Sequence, residues 1–167
     1  MKLFPRMLFF ILLLFSAANV NAEASLQSLE GKPEKLSDYT GKGQWTVVIL
    51  WASDCHVCNA EAEQYIQFHE AHKNNDAQIL GLSLDGQQKL DAAKDFMKRH
   101  DVTYHSLIGE PEVVASMYED LTGGHWVGTP TFLIYDRAGK LKAAQPGAVP
   151  AEIIEGFIKD HDTDIGK

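Results

Sequence analysis

The chain has 167 residues, 45% of them hydrophobic, with 15 basic and 23 acidic side chains and a formal net charge of −8. That is chain enough for one globular domain with a proper core, so its two cysteines are not needed as a structural staple. The acidic balance, with no Lys/Arg-rich stripe, argues against binding nucleic acid through its phosphates.

At the N-terminus Lys2 and Arg6 precede an apolar block at residues 7–15, and residues 16–22 close on Val20-Asn21-Ala22. This reads as a secretory signal peptide cleaved after Ala22. The apolar block is shorter than the roughly 20 residues that cross a bilayer, which sets cleavage ahead of a retained anchor. Removing residues 1–22 takes away Lys2 and Arg6 and no acid, so the formal charge goes from −8 to −10. What remains, residues 23–167, is expected to be a single periplasmic domain and not an integral membrane protein. In such an oxidising compartment a neighbouring cysteine pair is free to cycle through disulfide states.

Further along, the continuous β-branched and aromatic run at residues 45–51 predicts a strand buried on both faces of a sheet. Residues 77–84 and 131–135 repeat that character. Between them lie helical patterns. Residues 58–71 are rich in helix formers, with Ala62, Tyr65, Ile66 and His69 on one side. Leu90, Ala93 and Met97 make a second stripe, and Val113, Val114, Met117, Tyr118 and Leu121 make a third behind Pro111, a preferred first-turn residue. Asp136-Arg137-Ala138-Gly139 predicts a hairpin turn into residues 140–144. A last helix follows Pro150, with Ile153, Ile154, Phe157 and Ile158 facing inward. Strands alternating with helices, then a closing hairpin and helix, predict an α/β fold with a central mixed sheet.

Both cysteines lie in Trp51-Ala52-Ser53-Asp54-Cys55-His56-Val57-Cys58, directly after the first strand. A loop this short removes only about 2 kcal/mol of denatured-state entropy on closure, so redox chemistry explains the spacing better than architecture does. If a helix starts near Cys55, its N–H groups and macrodipole favour the Cys55 thiolate, making Cys55 the attacking thiol and Cys58 the resolving one. A protonated His56 would favour that thiolate and Asp54 would oppose it; both also read as solvated loop polarity. Glu61, three residues after Cys58, falls on nearly the same helix face. It is either a proton shuttle to the Cys58 thiol or an ordinary surface glutamate. Pro130, in Gly128-Thr129-Pro130-Thr131, opens the later strand, as a residue that cannot donate to the ladder should.

Together these blocks resemble the thioredoxin superfamily, and most closely the exported TlpA/ResA-like thiol-disulfide oxidoreductases. The likeness runs from Leu26 to Ile158. It is carried by Leu36-Ser37-Asp38-Tyr39-Thr40-Gly41-Lys42, by the Trp51-Ala52-x-x-Cys55-x-x-Cys58-x-x-Glu61 block, and by the stretch from Gly128 to Lys140. The resemblance implies a thioredoxin-like fold with an inserted strand and helix between Gly86 and Gly124. It implies a cis Pro130 facing the disulfide, with the Thr129 backbone pairing to an extended substrate. Trp51 and His56 are then the other substrate-facing candidates, and Glu61 matches an active-site glutamate. The implied function is reduction of disulfides in exported proteins, with electrons from a membrane thiol carrier and no cofactor. Val57, Asp54 and Ile49 stand where relatives carry a proline, an aromatic and a buried aspartate, which leaves the direction of electron flow open.

Two alternatives use the same residues. One is a disulfide oxidase or isomerase. The other is a copper metallochaperone in which Cys55 and Cys58 are joined by His56 or His125, since soft thiolates suit Cu(I). Haem attachment is excluded because Asn59, not histidine, follows Cys58. The histidines also lack the paired spacing of a structural zinc site. A peroxidase reading is weak, because the Pro-x-x-x-Thr-x-x-Cys pattern is absent.

Overall fold

The computed structural model describes residues 26–162. The expected signal peptide and its cleavage point lie outside these residues. In chain order the elements are β1 (Gln27–Ser28), β2 (Trp45–Trp51), α1 (His56–His72), β3 (Ala77–Ser83), α2 (Leu90–Arg99), β4 (Ser106–Ile108), α3 (Pro111–Thr122), β5 (Thr131–Tyr135), β6 (Leu141–Pro146) and α4 (Ala151–His161). The strands form one mixed sheet in the order β1-β4-β3-β2-β5-β6. β2, β3 and β4 run parallel to one another, and β1, β5 and β6 are antiparallel to their neighbours.

β2 is central, and all seven of its residues are buried, as its unbroken apolar run predicts. Side chains alternate across a strand. Trp45, Val47, Ile49 and Trp51 therefore share one face with Cys58, Ala62, Tyr65 and Phe68 of α1, Ala93 and Phe96 of α2, and Ile154 and Ile158 of α4. Val48 and Leu50 pack on the other face against Val114, Met117 and Tyr118 of α3, closed by Leu26 and Leu36.

The hairpin joining β5 to β6 turns where the sequence predicts. The Asp136 carboxylate accepts the N–H groups of Ala138 (3.0 Å) and Lys140 (2.8 Å), and Gly139 takes φ +83°. α3 begins on Pro111 and ends against Gly123 in the left-handed conformation at φ +71°. The segment from Gly86 to Gly124 holds α2, β4 and α3, so it contributes one strand and two helices.

Some inward stripes are narrower than predicted. Ile153 and Leu121 are exposed, because Ile154, Phe157 and Ile158 already fill the face that α4 turns to the sheet, and Val114, Met117 and Tyr118 that of α3. β1 and β4, two and three residues long, escape a periodicity search altogether.

Candidate active site

β2 and β3 are parallel, with Trp51 opposite Ser83, so the loops leaving both strands emerge at one edge of the sheet. Sites in open α/β sheets gather at such an edge. Thr131 pairs with Leu50, which brings the preceding residue, Pro130, to the same edge at the start of β5. The Thr129–Pro130 peptide is cis, and Pro130 is buried.

Cys55 and Cys58 form a disulfide with Cα atoms 5.2 Å apart. Cys55 is the N-cap of α1, with an extended backbone at φ −71° and ψ 110°, and its sulfur accepts the Cys58 N–H at 3.1 Å. On reduction that sulfur stands where unsatisfied N–H groups and the helix dipole favour negative charge. Cys55 is half-buried, whereas Cys58 is only 6% exposed and belongs to the core face of α1.

Three polar side chains hold the loop that carries Cys55. Asp85, buried just beyond β3, accepts hydrogen bonds from the Ser53 N–H (2.9 Å), the Ser53 hydroxyl (2.8 Å) and the Ser83 hydroxyl (2.7 Å). Asn59 donates its amide to the carbonyls of Ser53 (3.1 Å) and Cys55 (2.9 Å), and its Oδ1 accepts from Arg99 Nη2 and lies 2.9 Å from His100 Nε2. Lys89 Nζ sits 2.8 Å from Asp54 Oδ2, and the ammonium holds the Asp54 carboxyl below its ordinary pKa. Burial, aided by the Arg99 charge, lowers the His100 pKa.

The candidate residues fare differently. Trp51, expected at the substrate surface, is buried. It is 2% exposed, stacks on Phe96 with ring centroids 4.3 Å apart, and donates Nε1–H to Ser106 Oγ at 3.1 Å. Gly81 makes room for this, since a Cβ there would lie 2.5 Å from Ser106 Oγ and 3.0 Å from Trp51 Nε1. Trp51 is thus a buried support beneath the loop, because the last residue of a central strand points into the core. His56 is exposed on the first turn of α1. Glu61 is half-buried, and Gln64 Nε2 donates to its carboxylate. Gln64 Oε1 in turn accepts the Ala151 N–H at the start of α4, at 2.8 Å. Among the described residues no hydrogen bond joins Glu61 to either sulfur. His125 is fully exposed and lies 3.5 Å from Glu119. No group of three or more His, Cys, Asp or Glu side chains that could hold a metal occurs among the described residues.

Asp85, Lys89 and Ser106 carry no expectation from sequence, and Asn59 enters there only as the residue that excludes haem attachment. Only Asp85 carries a readable signal, as an acid just past a buried strand whose end shares the cysteine loop's edge.

Residues 18–144 match the AhpC/TSA family. The chain belongs to the AhpC/TSA family. It is similar to Sporulation thiol-disulfide oxidoreductase A of Bacillus subtilis, 24% identical over 136 residues that make up 81% of this chain and 77% of that one. It is also similar to Thiol-disulfide oxidoreductase ResA of Geobacillus kaustophilus, 29% identical over 135 residues, 80% of this chain and 71% of that one. Among solved structures, a thiol:disulfide interchange protein of the thioredoxin family from Chlorobium tepidum matches with a TM-score of 0.66 at 21% identity, covering 80% of this chain and 88% of that one. The fold of this AhpC/TSA member is therefore thioredoxin-like. The protein is a thiol-disulfide oxidoreductase with its Cys-x-x-Cys at Cys55 and Cys58.

Proposed function

We propose that this protein is an exported, periplasmic reductase of protein disulfides, with Cys55 as nucleophile and Cys58 as resolving thiol. The observation that carries the reading is the asymmetry of the pair. Cys55 is the accessible N-cap whose sulfur receives a helix N–H, and Cys58 is buried one turn further in.

The Cys55 thiolate attacks one sulfur of a substrate disulfide, forming a mixed disulfide and expelling the other substrate sulfur as a thiolate, which takes up a proton. Cys58, deprotonated, then attacks the Cys55 sulfur, closing the intramolecular disulfide and releasing the second substrate thiolate. Two electrons pass from the dithiol to the substrate, and a membrane-borne dithiol restores them. Glu61, on the turn after Cys58, takes the Cys58 proton; its half-buried carboxylate, held by Gln64, supports that role. The substrate strand runs beside cis-Pro130 and pairs with the Thr129 backbone, and exposed His56 borders it. A leader ending at Ala22 delivers residues 23–167 to that compartment. Among the described residues no helix is long and apolar enough to cross a membrane.

The test is twofold. Cys58→Ser should trap mixed disulfides through Cys55, and recovering substrates on Cys55→Ser instead would reverse the roles. The equilibrium potential of the pair then fixes the direction. A value at or below about −220 mV supports a reductase, and one near about −120 mV an oxidase. A pair that does not cycle but binds Cu(I) tightly would make the protein a metallochaperone.

A further inference from the structure

We infer that Lys89 is a positioning residue for the redox reaction, acting through Asp54, whose negative charge beside Cys55 it neutralises. This deepens the proposed function and rests on Cys55 being the attacking thiol.

Asp54 immediately precedes Cys55, and a bare carboxylate at that point opposes the thiolate by like-charge repulsion. Lys89 Nζ stands 2.8 Å from Asp54 Oδ2. What holds Lys89 there is the loop it serves. Asp85 ties Ser53, two residues before Cys55, to the end of β3. Gly86 then turns the chain at φ +63°, a left-handed conformation suited to glycine, where a Cβ would also run into the Glu110 carboxylate. Glu110 Oε1 accepts the Gln87 N–H at 3.0 Å, fixing the single 3₁₀ turn Gln87–Lys89 that delivers the ammonium. Cation and carboxylate are thus borne on two loops joined by the part-buried hydrogen bonds of Asp85 to Ser53.

The other charged and titratable groups around Cys55 are differently engaged. His56 is exposed on the following residue, Asp85 accepts three hydrogen bonds behind Ser53, and Glu61 is held by the Gln64 amide. Arg99 and His100 reach the loop only through Asn59. Lys89 is therefore the cation set against the acid that adjoins the nucleophile. Both members of the pair are more than half exposed, so its effect falls with ionic strength.

The experiment follows alkylation of Cys55 by iodoacetamide against pH in Cys58→Ser protein, alone and combined with Lys89→Met, Lys89→Arg, Asp54→Asn and Lys89→Met/Asp54→Asn. At low salt and neutral pH, Lys89→Met should slow alkylation about twofold, Asp54→Asn should accelerate it, and Lys89→Arg should retain the parent rate. In the Asp54→Asn background Lys89→Met should do less, because its target is gone. At about 1 M salt, where the screening length is about 3 Å, the differences should collapse. An unchanged rate on Lys89→Met, or an equal loss with and without Asp54, overturns the proposal. A parent Cys55 that titrates like a free cysteine and traps no substrate overturns the nucleophile assignment instead, whatever Lys89 does.

Discussion

Two loops meet at the active edge of the sheet, and they are built in opposite ways. The one carrying Cys55 is fastened from three sides, by Asp85 below Ser53, by Asn59 under the Ser53 and Cys55 carbonyls, and by Lys89 on Asp54. The one leading into cis-Pro130 is held mainly at its two ends, by Thr122 on the Gly124 N–H, Glu119 on the Trp126 N–H, the Trp126 ring edge-on to Tyr118 and the Thr131 hydroxyl on the Gly128 carbonyl, and between them it has fully exposed His125, Val127 at 70% exposure and Gly128 at φ +131°. The contrast suits the chemistry. On the proposed mechanism the attacking sulfur gains from being fixed against a helix terminus, while a surface proposed to take polypeptide substrates gains from open apolar side chains.

The contrast is broken most severely by Asp85→Ala, which leaves the Ser53 N–H and the Ser53 and Ser83 hydroxyls without their acceptor in a buried place. It should cost about 3 kcal/mol in urea unfolding of the oxidised protein. Asn59→Ala removes the donor shared by two loop carbonyls and should cost about 1 kcal/mol, with slower reaction at Cys55 toward a small disulfide. Val127→Ser, on the open loop, should leave the urea midpoint almost unchanged, within about 0.5 kcal/mol, while reducing turnover of a protein disulfide but not of a small one. A stability loss larger than that of Asn59→Ala would mean that the second loop is as tightly built as the first.

Acid provides a control remote from both loops. His69 is buried, its Nδ1 accepts the Ile79 N–H at 3.1 Å, and desolvation lowers its pKa. The folded value lies below the unfolded one of about 6.5, so the neutral ring's contribution is complete above that pH and is lost as pH falls below it. Where β2 begins, Asp162 accepts from Arg137 and Trp45, which depress its pKa to about 2. Its contribution is present above about 4 and is lost as pH falls toward 2. Urea midpoints should therefore decline in two steps on acidification, and His69→Leu should flatten only the upper one.

The long elements were legible in sequence because each has a period that one stretch of chain displays. β2 is an unbroken apolar run, α3 starts on Pro111, and the Asp136–Gly139 turn has its own side-chain acceptor. Trp51, expected at the substrate surface from the family resemblance, is buried instead, because strand alternation aims it at Phe96 and Ser106. Ile153 was misread because an apolar residue at the start of a helix can fall outside the buried arc.

Local sequence was enough to mark the centre: two cysteines at one helical spacing, after a buried strand and ahead of a helix, point to paired thiols first for redox chemistry and second for a soft metal. What surrounds that centre comes from the folded chain alone. Asp85, Lys89, Arg99 and Ser106 lie 30 or more residues from Cys55 in sequence and reach its neighbourhood because β3 and β4 align beside β2, a long-range register that no local pattern encodes.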